Sequence, residues 1–412
     1  MAMRFGRAAI AALMVAALGA AGCGRSGESE TTAGEAGSPG ITDTEIKLGG
    51  TFPYSGPASA YATLAKSMRA HFAMVNEAGG VDGRRITFET LDDGYDPTRG
   101  LQATRRLVER DGVFAIFGTG GTPVSVATMD YLNDREVPQA FVTSGVSLFG
   151  ADPERFPWSI GFAPDYVTEG RIYASWLKRE HPDAKVGILY QNDALGKDYL
   201  AGFEPALEGS GVRVLDKQSY EVTDPSVASQ VSRLKSAGAD TLVLFTTPKF
   251  AAQAIAEKHD LGWDPTVVLD SISSSPGQTL EPAGLDAARG LVTAAYYKDP
   301  NNPRFSGDAD VKAYLEAMRR WAPDVAVDDP FALIAWAETA TLIETLKQME
   351  EPTRESFMAA ARDLDVASAM LLPGIRATTG PGDGFPLQAM QIARFDGRAY
   401  DLEGEIIEGT AR

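Results

Sequence analysis

The sequence predicts an α/β protein built of two similar lobes, each a parallel sheet with helices on both faces. Three observations predict it. Short apolar runs alternate with amphipathic helical segments from Ile46 onwards, the alternation starts afresh near Lys185, and neither half carries a complete ending of its own.

In order, Ile46–Phe52 is the first strand. The following segment places Tyr61, Leu64, Ala65, Met68, Phe72 and Val75 on one helical stripe, closed by Gly79-Gly80. Arg85–Leu91 reads as a strand, Pro97–Arg110 as a helix opened by proline, and Val113–Phe117 as a buried strand. A helix opens at Pro123, and Pro138–Val142 is the next strand. The second lobe repeats this order with Lys185–Tyr190, Arg213–Ser219, Thr241–Phe245 and Pro265–Leu269. Its helix after Pro225 places Val227, Val231 and Leu234 on one face. The remainder has strands at Leu291–Tyr296 and Gln388–Phe395, and a long helix over Pro330–Met349 with Phe331, Ile334, Ala335, Leu342 and Leu346 on or near one face. This tail is expected to be shared between both lobes.

Ahead of the alternating region, Arg4 and Arg7 precede an apolar stretch, Ala8–Ala21, followed by Gly22 and Cys23, the only cysteine. The stretch is too short for a bilayer core, which needs roughly 20 residues, and reads as a signal peptide. It resembles the lipobox of bacterial lipoproteins, in which the cysteine after the cleavage point is acylated. The alternative is an ordinary secretory signal with an incidental cysteine. Gly24–Gly40 is small and polar, cannot bury enough surface to fold, and is expected to be a flexible tether, with order beginning near Thr44.

With 38 Lys+Arg against 56 Asp+Glu, the net charge of -18 repels nucleic acid and anionic membrane surfaces. A single cysteine leaves no internal disulfide and no thiolate metal site. Enzyme signatures are missing: the glycine loop Gly118–Pro123 is not a dinucleotide fingerprint, and neither a Walker lysine nor a G-x-S-x-G elbow occurs. His71, His181 and His259 lack metal-ligand spacing. Asp92, Asp93 and Asp96 lack an EF-hand loop and are expected to cap the following helix. No catalytic group, metal or cofactor is expected.

Ligands of parallel α/β sheets bind beyond the carboxyl ends of the strands. In Gly118-Thr119-Gly120-Gly121-Thr122-Pro123, the glycines admit a ligand to the backbone. Thr122 as N-cap and Pro123 as first helical residue would leave free N–H groups for one carboxylate. The alternative is a plain strand-to-helix turn. Thr143-Ser144-Gly145-Val146-Ser147 adds hydroxyls from the next strand end. Tyr190-Gln191-Asn192-Asp193, Thr246-Thr247-Pro248-Lys249 and Asp270-Ser271-Ile272-Ser273 occupy corresponding ends in the second lobe. Equivalent placement in both lobes favours a shared site.

Together with Pro53-Tyr54-Ser55-Gly56-Pro57, Asn76–Gly83, Asp92-Asp93, Asp96-Pro97, Gly196–Tyr199 and Ala237–Asp240, these residues resemble the extracytoplasmic solute-binding proteins of the branched-chain amino-acid (Leu/Ile/Val-binding-like) ABC transporter family, over Ile46–Ile407. The resemblance implies a type I periplasmic-binding fold, with two Rossmann-like lobes joined by three crossovers. The expected organisation is a signal peptide over 1–22, a lipidated tether over 23–43, lobe 1 over 44–162 plus 296–374, and lobe 2 over 163–295 plus 375–412. It implies carboxylate contacts at Thr122, Thr143, Ser144 and Ser147, an aromatic contact at Tyr61, and a second-lobe contact at Thr247. Where relatives hold the ammonium of an α-amino acid with an acidic residue, this chain has Ile272 or Ser273, with Asp270 shortly before. The expected ligand is therefore a small carboxylate with a neutral remainder packed on Tyr61 and Tyr190, with Asp270 or Asp193 as ammonium partner if it is an amino acid. Tyr95 and Gly121 stand where some relatives have a disulfide. The implied role is an extracytoplasmic, lipid-anchored receptor serving an ABC permease. The rival is an extracytoplasmic sensor with a separate signalling partner.

Overall fold

The computed structural model describes residues Gly37–Gly409. The signal peptide, Cys23 and the tether up to Ala36 lie outside the described residues. From Ser38 on, the chain is not a tether. The Ser38 N–H donates to the Pro352 carbonyl, its hydroxyl accepts from the Arg354 N–H, and Ile41 is buried. Gly40 lies so close to Phe114 that a Cβ would meet its nitrogen at 2.1 Å. The polar composition of this stretch hid one apolar anchor, Ile41, and a glycine that permits close backbone approach.

Lobe 1 runs through β1 (Glu45–Phe52), α1 (Ala62–Glu77), β2 (Arg85–Asp92), α2 (Pro97–Glu109), β3 (Ala115–Phe117), α3 (Thr122–Asp134), β4 (Gln139–Val142), the short α4 (Leu148–Ala151) and β5 (Ser159–Gly161). The sheet is parallel throughout, in the order β2-β1-β3-β4-β5. Asp96 caps α2, its carboxylate accepting from the Arg99 N–H at 2.8 Å, as its position ahead of Pro97 predicts.

Lobe 2 follows with α5 (Tyr166–Glu180), β6 (Lys185–Gln191), α6 (Ala194–Ala206), β7 (Arg213–Tyr220), α7 (Ala228–Ser236), β8 (Thr241–Phe245), α8 (Pro248–Asp260), β9 (Thr266–Leu269), the short α9 (Glu281–Ala283) and α10 (Leu285–Ala288), and β10 (Val292–Ala295). Its parallel strands lie in the order β7-β6-β8-β9-β10, which repeats the lobe 1 pattern strand for strand. In both sheets the order reverses beside the first strand of the lobe, and doubly wound sheets bind ligands at that reversal.

The tail contributes to both sheets' surroundings. α11 (Ala309–Trp321), α12 (Pro330–Gln348) and α13 (Arg354–Ala361) return to lobe 1. A small ribbon of β11 (Asp365–Val366) and β12 (Ala377–Thr378) follows, and then β13 (Ala389–Phe395) and β14 (Tyr400–Glu408) extend the lobe 2 sheet antiparallel to β10. The third crossover lies later than residue 374. β12 pairs with β11, and Phe385 fills the space left by the missing side chain of Gly150. Residues 375–386 therefore pack with lobe 1.

α12 is buried along most of its length and packs on α1. There His71 stacks on Trp336 at 4.0 Å and its Nδ1 donates to the Trp336 carbonyl at 3.2 Å. Burial lowers its pKa from 6.5 to about 3. The folded value is depressed, so the unfolded chain takes up the proton first. Stability is full above pH 6.5 and is lost as pH falls toward 3. Denaturant titrations should show His71→Phe lacking this slope, so that wild type loses about 2 kcal/mol more than the variant between pH 7.5 and pH 5.

Candidate functional site

The candidate residues lie at or just beyond the carboxyl ends of parallel strands, and the two sets face one another across the crossovers. In lobe 1, β3 runs into the glycine loop, and the Gly120 N–H donates to the Thr51 carbonyl. Gly121 has φ +110 and is itself the cap of α3, so Thr122 is the first helical residue and not the cap. The positive φ makes the turn one residue earlier than the sequence predicts. No side chain caps this helix, and the freed Thr122 hydroxyl lies 2.7 Å from Ser144 Oγ and 3.5 Å from the Tyr166 hydroxyl. A helix start, two hydroxyls and a phenol thus converge, an arrangement suited to a carboxylate.

Neighbouring residues of an extended segment point to opposite faces. Thr143 accordingly turns away from Ser144, and its hydroxyl donates to Glu338 Oε2 of α12 at 2.7 Å. Burial pushes the Glu338 carboxyl well above its usual range. Ser147 bridges the lobes, its N–H donating to Asp198 Oδ2 of α6 at 2.6 Å. Tyr61 is buried, packed between Tyr95 at 5.9 Å and Phe331 at 4.4 Å.

In lobe 2 the same alternation separates Tyr190 from Gln191, and the Tyr190 ring lies against Gly196, 3.0 Å from where a Cβ would stand. Gln191 holds the cleft position instead. Its Oε1 accepts from the Tyr220 hydroxyl at 3.1 Å and from Thr247 Oγ1 at 3.3 Å, and its Nε2 donates to Asp193 Oδ2 at 2.7 Å. The Thr247 N–H donates to the Tyr220 hydroxyl at 3.0 Å. Asp270 is buried, and its carboxylate accepts from the Thr246 N–H at 2.6 Å and the Ser273 N–H at 2.9 Å. Burial pushes its pKa well up. It braces two loops and is no ready partner for an ammonium. Asp193 is likewise engaged, capping α6 through the Leu195 N–H at 3.0 Å.

Four phenols, Tyr61, Tyr95, Tyr166 and Tyr220, lie within one another's electrostatic reach, and burial raises the pKa of each. Tyr166 is pushed to about 12, so it remains a neutral donor. Behind them Glu169 accepts from the hydroxyls of Tyr173 at 2.6 Å, Tyr199 at 2.9 Å and Ser271 at 3.0 Å, and from the Ser271 N–H at 2.8 Å. Across the lobes Asp329 accepts from Ser275 Oγ at 3.2 Å and from the Gln278 amide.

The structure therefore brings together Tyr61, Thr122, Ser144 and Thr247, and adds Tyr95, Tyr166, Gln191 and Tyr220. Gln191 is visible in the sequence beside Tyr190, but only sheet register tells the two apart. Tyr166 and Tyr220 carry no local signal. Among the described residues, no group of three or more His, Cys, Asp or Glu is placed to hold a metal ion. Nor is any described helix long and apolar enough to cross a membrane.

The periplasmic binding protein family model matches residues 45–399. The chain is 24% identical over 262 residues to Leu/Ile/Val-binding protein homolog 7 of Brucella suis biovar 1, covering 62% of this chain and 65% of that relative. A branched-chain amino-acid ABC transporter protein of Thermus thermophilus with bound valine superposes with a TM-score of 0.78 at 15% identity, over 90% of this chain and 98% of that one. An ABC transporter solute-binding protein of Rhodopseudomonas palustris BisB5, in complex with 3,4-dihydroxybenzoic acid, superposes with a TM-score of 0.75 at 20% identity, over 89% and 98%. Doubly wound lobes of matching strand order, three crossovers and a cleft between strand ends agree with that match, and the chain belongs to the periplasmic binding protein family.

Proposed function

We propose that this protein is an extracytoplasmic solute receptor that captures a small carboxylate with a neutral remainder and delivers it to an ABC permease. The observation that carries the reading is the convergence of both sheet reversals on one buried site. Thr122 and Ser144 supply hydroxyls beside an uncapped helix start, while Gln191, Thr247 and Tyr220 supply a neutral polar wall. The net charge of -18 gives an anion no long-range help, so this local geometry provides the attraction. The ligands named for the two structural relatives, valine and 3,4-dihydroxybenzoic acid, each carry one carboxylate. The acids nearest the second-lobe wall, Asp193 and Asp270, are already bonded, and an unpaired buried ammonium costs several kcal/mol. This favours acids without an amino group. Ligand contacts to both lobes would select the closed form, which the permease reads. Acylated Cys23 would supply the membrane anchor, and a Cys23→Ser form released from the membrane fraction checks that part.

Calorimetry with leucine, valine, their deaminated analogues and benzoate-type acids tests the ligand class. The deaminated or aromatic acids should bind, and small-angle scattering should show the radius of gyration falling on binding. Thr122→Val should weaken carboxylate binding by about tenfold, the cost of one lost hydrogen bond to a charged group. Exclusive binding of free α-amino acids would overturn the ligand class, and turnover of a bound acid would overturn the receptor reading.

A further inference from the structure

Tyr95 has an unusual position for a side chain with so little to bond to. It is 3% exposed, and its hydroxyl proton is given to no acceptor. A buried polar group without a partner costs stability, so one that persists at a cleft calls for an explanation. Its placement is also tightly enforced. The backbone at Tyr95 is left-handed, with φ +62, and the Asp93 carboxylate fixes the turn by accepting the Tyr95 N–H at 2.7 Å. The ring fills the space beside Gly121, where a Cβ would stand 2.5 Å from its Cε2, and packs against Tyr61. Any side chain at 121 would evict it.

The groups around the Tyr95 hydroxyl belong to the opposite lobe. Its pKa is raised first by burial and then by the charge of Asp193, while the Gln191 side chain facing the phenol oxygen lowers it, and Tyr166 and Tyr220 raise it further. None of these takes a hydrogen bond from it. Gln191 Oε1 already receives Tyr220 and Thr247, its Nε2 is given to Asp193 Oδ2, and Asp193 Oδ1 takes the Leu195 N–H. The second lobe thus satisfies its own polar groups and leaves the first lobe's phenol proton without an acceptor.

We infer that Tyr95 is a specificity-determining residue whose hydroxyl donates to a second, uncharged polar group on the bound carboxylate, so that the preferred ligand is a hydroxylated acid. This rests on the carboxylate reading of the site. The carboxylate would lie at Thr122 and Ser144, and the hydroxyl of the ligand would accept the buried phenol proton. A ligand lacking that hydroxyl would bury the phenol unpaired, and sites built around a hydrogen bond discriminate strongly against the analogue that cannot make it.

The test uses pairs of acids that differ by one hydroxyl: benzoate with 3- and 4-hydroxybenzoate, and 3-methylbutanoate with 3-hydroxy-3-methylbutanoate. Calorimetry on the full mature protein and on Tyr95→Phe gives the affinity ratio within each pair, and melting of the ligand-free proteins verifies that the variant is folded. For at least one pair the wild type should favour the hydroxylated acid by about tenfold or more, and Tyr95→Phe should bring that ratio close to one. As a second variant, Gly121→Ala should displace the ring and lower the same ratio. If acids bind but no pair is discriminated, or if Tyr95→Phe leaves the ratio as it was, the assignment of Tyr95 is wrong while the carboxylate receptor stands. If no acid binds at all, the carboxylate reading falls and this inference falls with it.

Discussion

Gly202→Ala is expected to destabilise the protein by about 3 kcal/mol or more, at the upper end for one added methyl group. Helices α5 and α6 meet backbone to backbone. A Cβ on Gly202 would lie 2.0 Å from the Val167 carbonyl oxygen and 2.7 Å from its carbon. Gly170 makes the reciprocal approach, 2.6 Å from the Tyr199 carbonyl oxygen. Neither neighbour is a side chain that can rotate away, so the helices must separate. That motion would reach the cleft, since α5 opens with Tyr166 and α6 carries Asp198. Urea denaturation should show the midpoint falling steeply, with ligand affinity reduced in the same variant. Gly307→Ala serves as the comparison, because nothing lies within 4 Å of its Cβ position, and it should stay within about 0.5 kcal/mol of wild type. Equal stability of the two variants would show that the helix contact yields cheaply.

Glu169→Leu is expected to cost about 4 kcal/mol. The leucine leaves the Tyr173, Tyr199 and Ser271 hydroxyls and the Ser271 N–H without their shared acceptor, and each orphaned buried donor costs roughly 1–3 kcal/mol before relaxation. Glu169→Gln should recover part of the loss. It keeps one carbonyl acceptor, and hydroxyls facing its amide can turn to accept. Denaturation of the three proteins should rank them wild type, Gln, Leu. A leucine variant as stable as wild type would mean that this polar core is replaceable by packing alone, as some buried ionic groups are.

Glu169 also marks where sequence reading stops. The strands that lie wholly inside a sheet announce themselves through apolar runs, and Thr241–Phe245 agrees with its expected bounds residue for residue. β5 has only three residues and β14 alternates acidic with apolar positions at a sheet edge, so neither rises above its surroundings. The strand-end loops were legible because connectivity alone puts them together. Which residue of each loop faces the cleft was not, because that depends on register: Ser144 against Thr143, and Gln191 against Tyr190. Tyr166 enters the site from the start of a helix just past the first crossover, a contact that no spacing encodes. Tyr95 could be noticed only as a departure from relatives that have a cysteine there, and its ring now occupies the room beside Gly121.

The docked start of the chain has a mechanical consequence. Ser38, Gly40 and Ile41 are fastened to Pro352, Arg354 and Phe114, at the end of the lobe 1 sheet remote from the strand ends that line the cleft. A force applied to the chain ahead of Gly37 would therefore load the base of one lobe and bypass the crossovers entirely. Lobe 2 has no such attachment among the described residues, so such a load would not act on it directly. A pull from the amino-terminal side would hold one lobe by its base and leave the cleft itself unloaded.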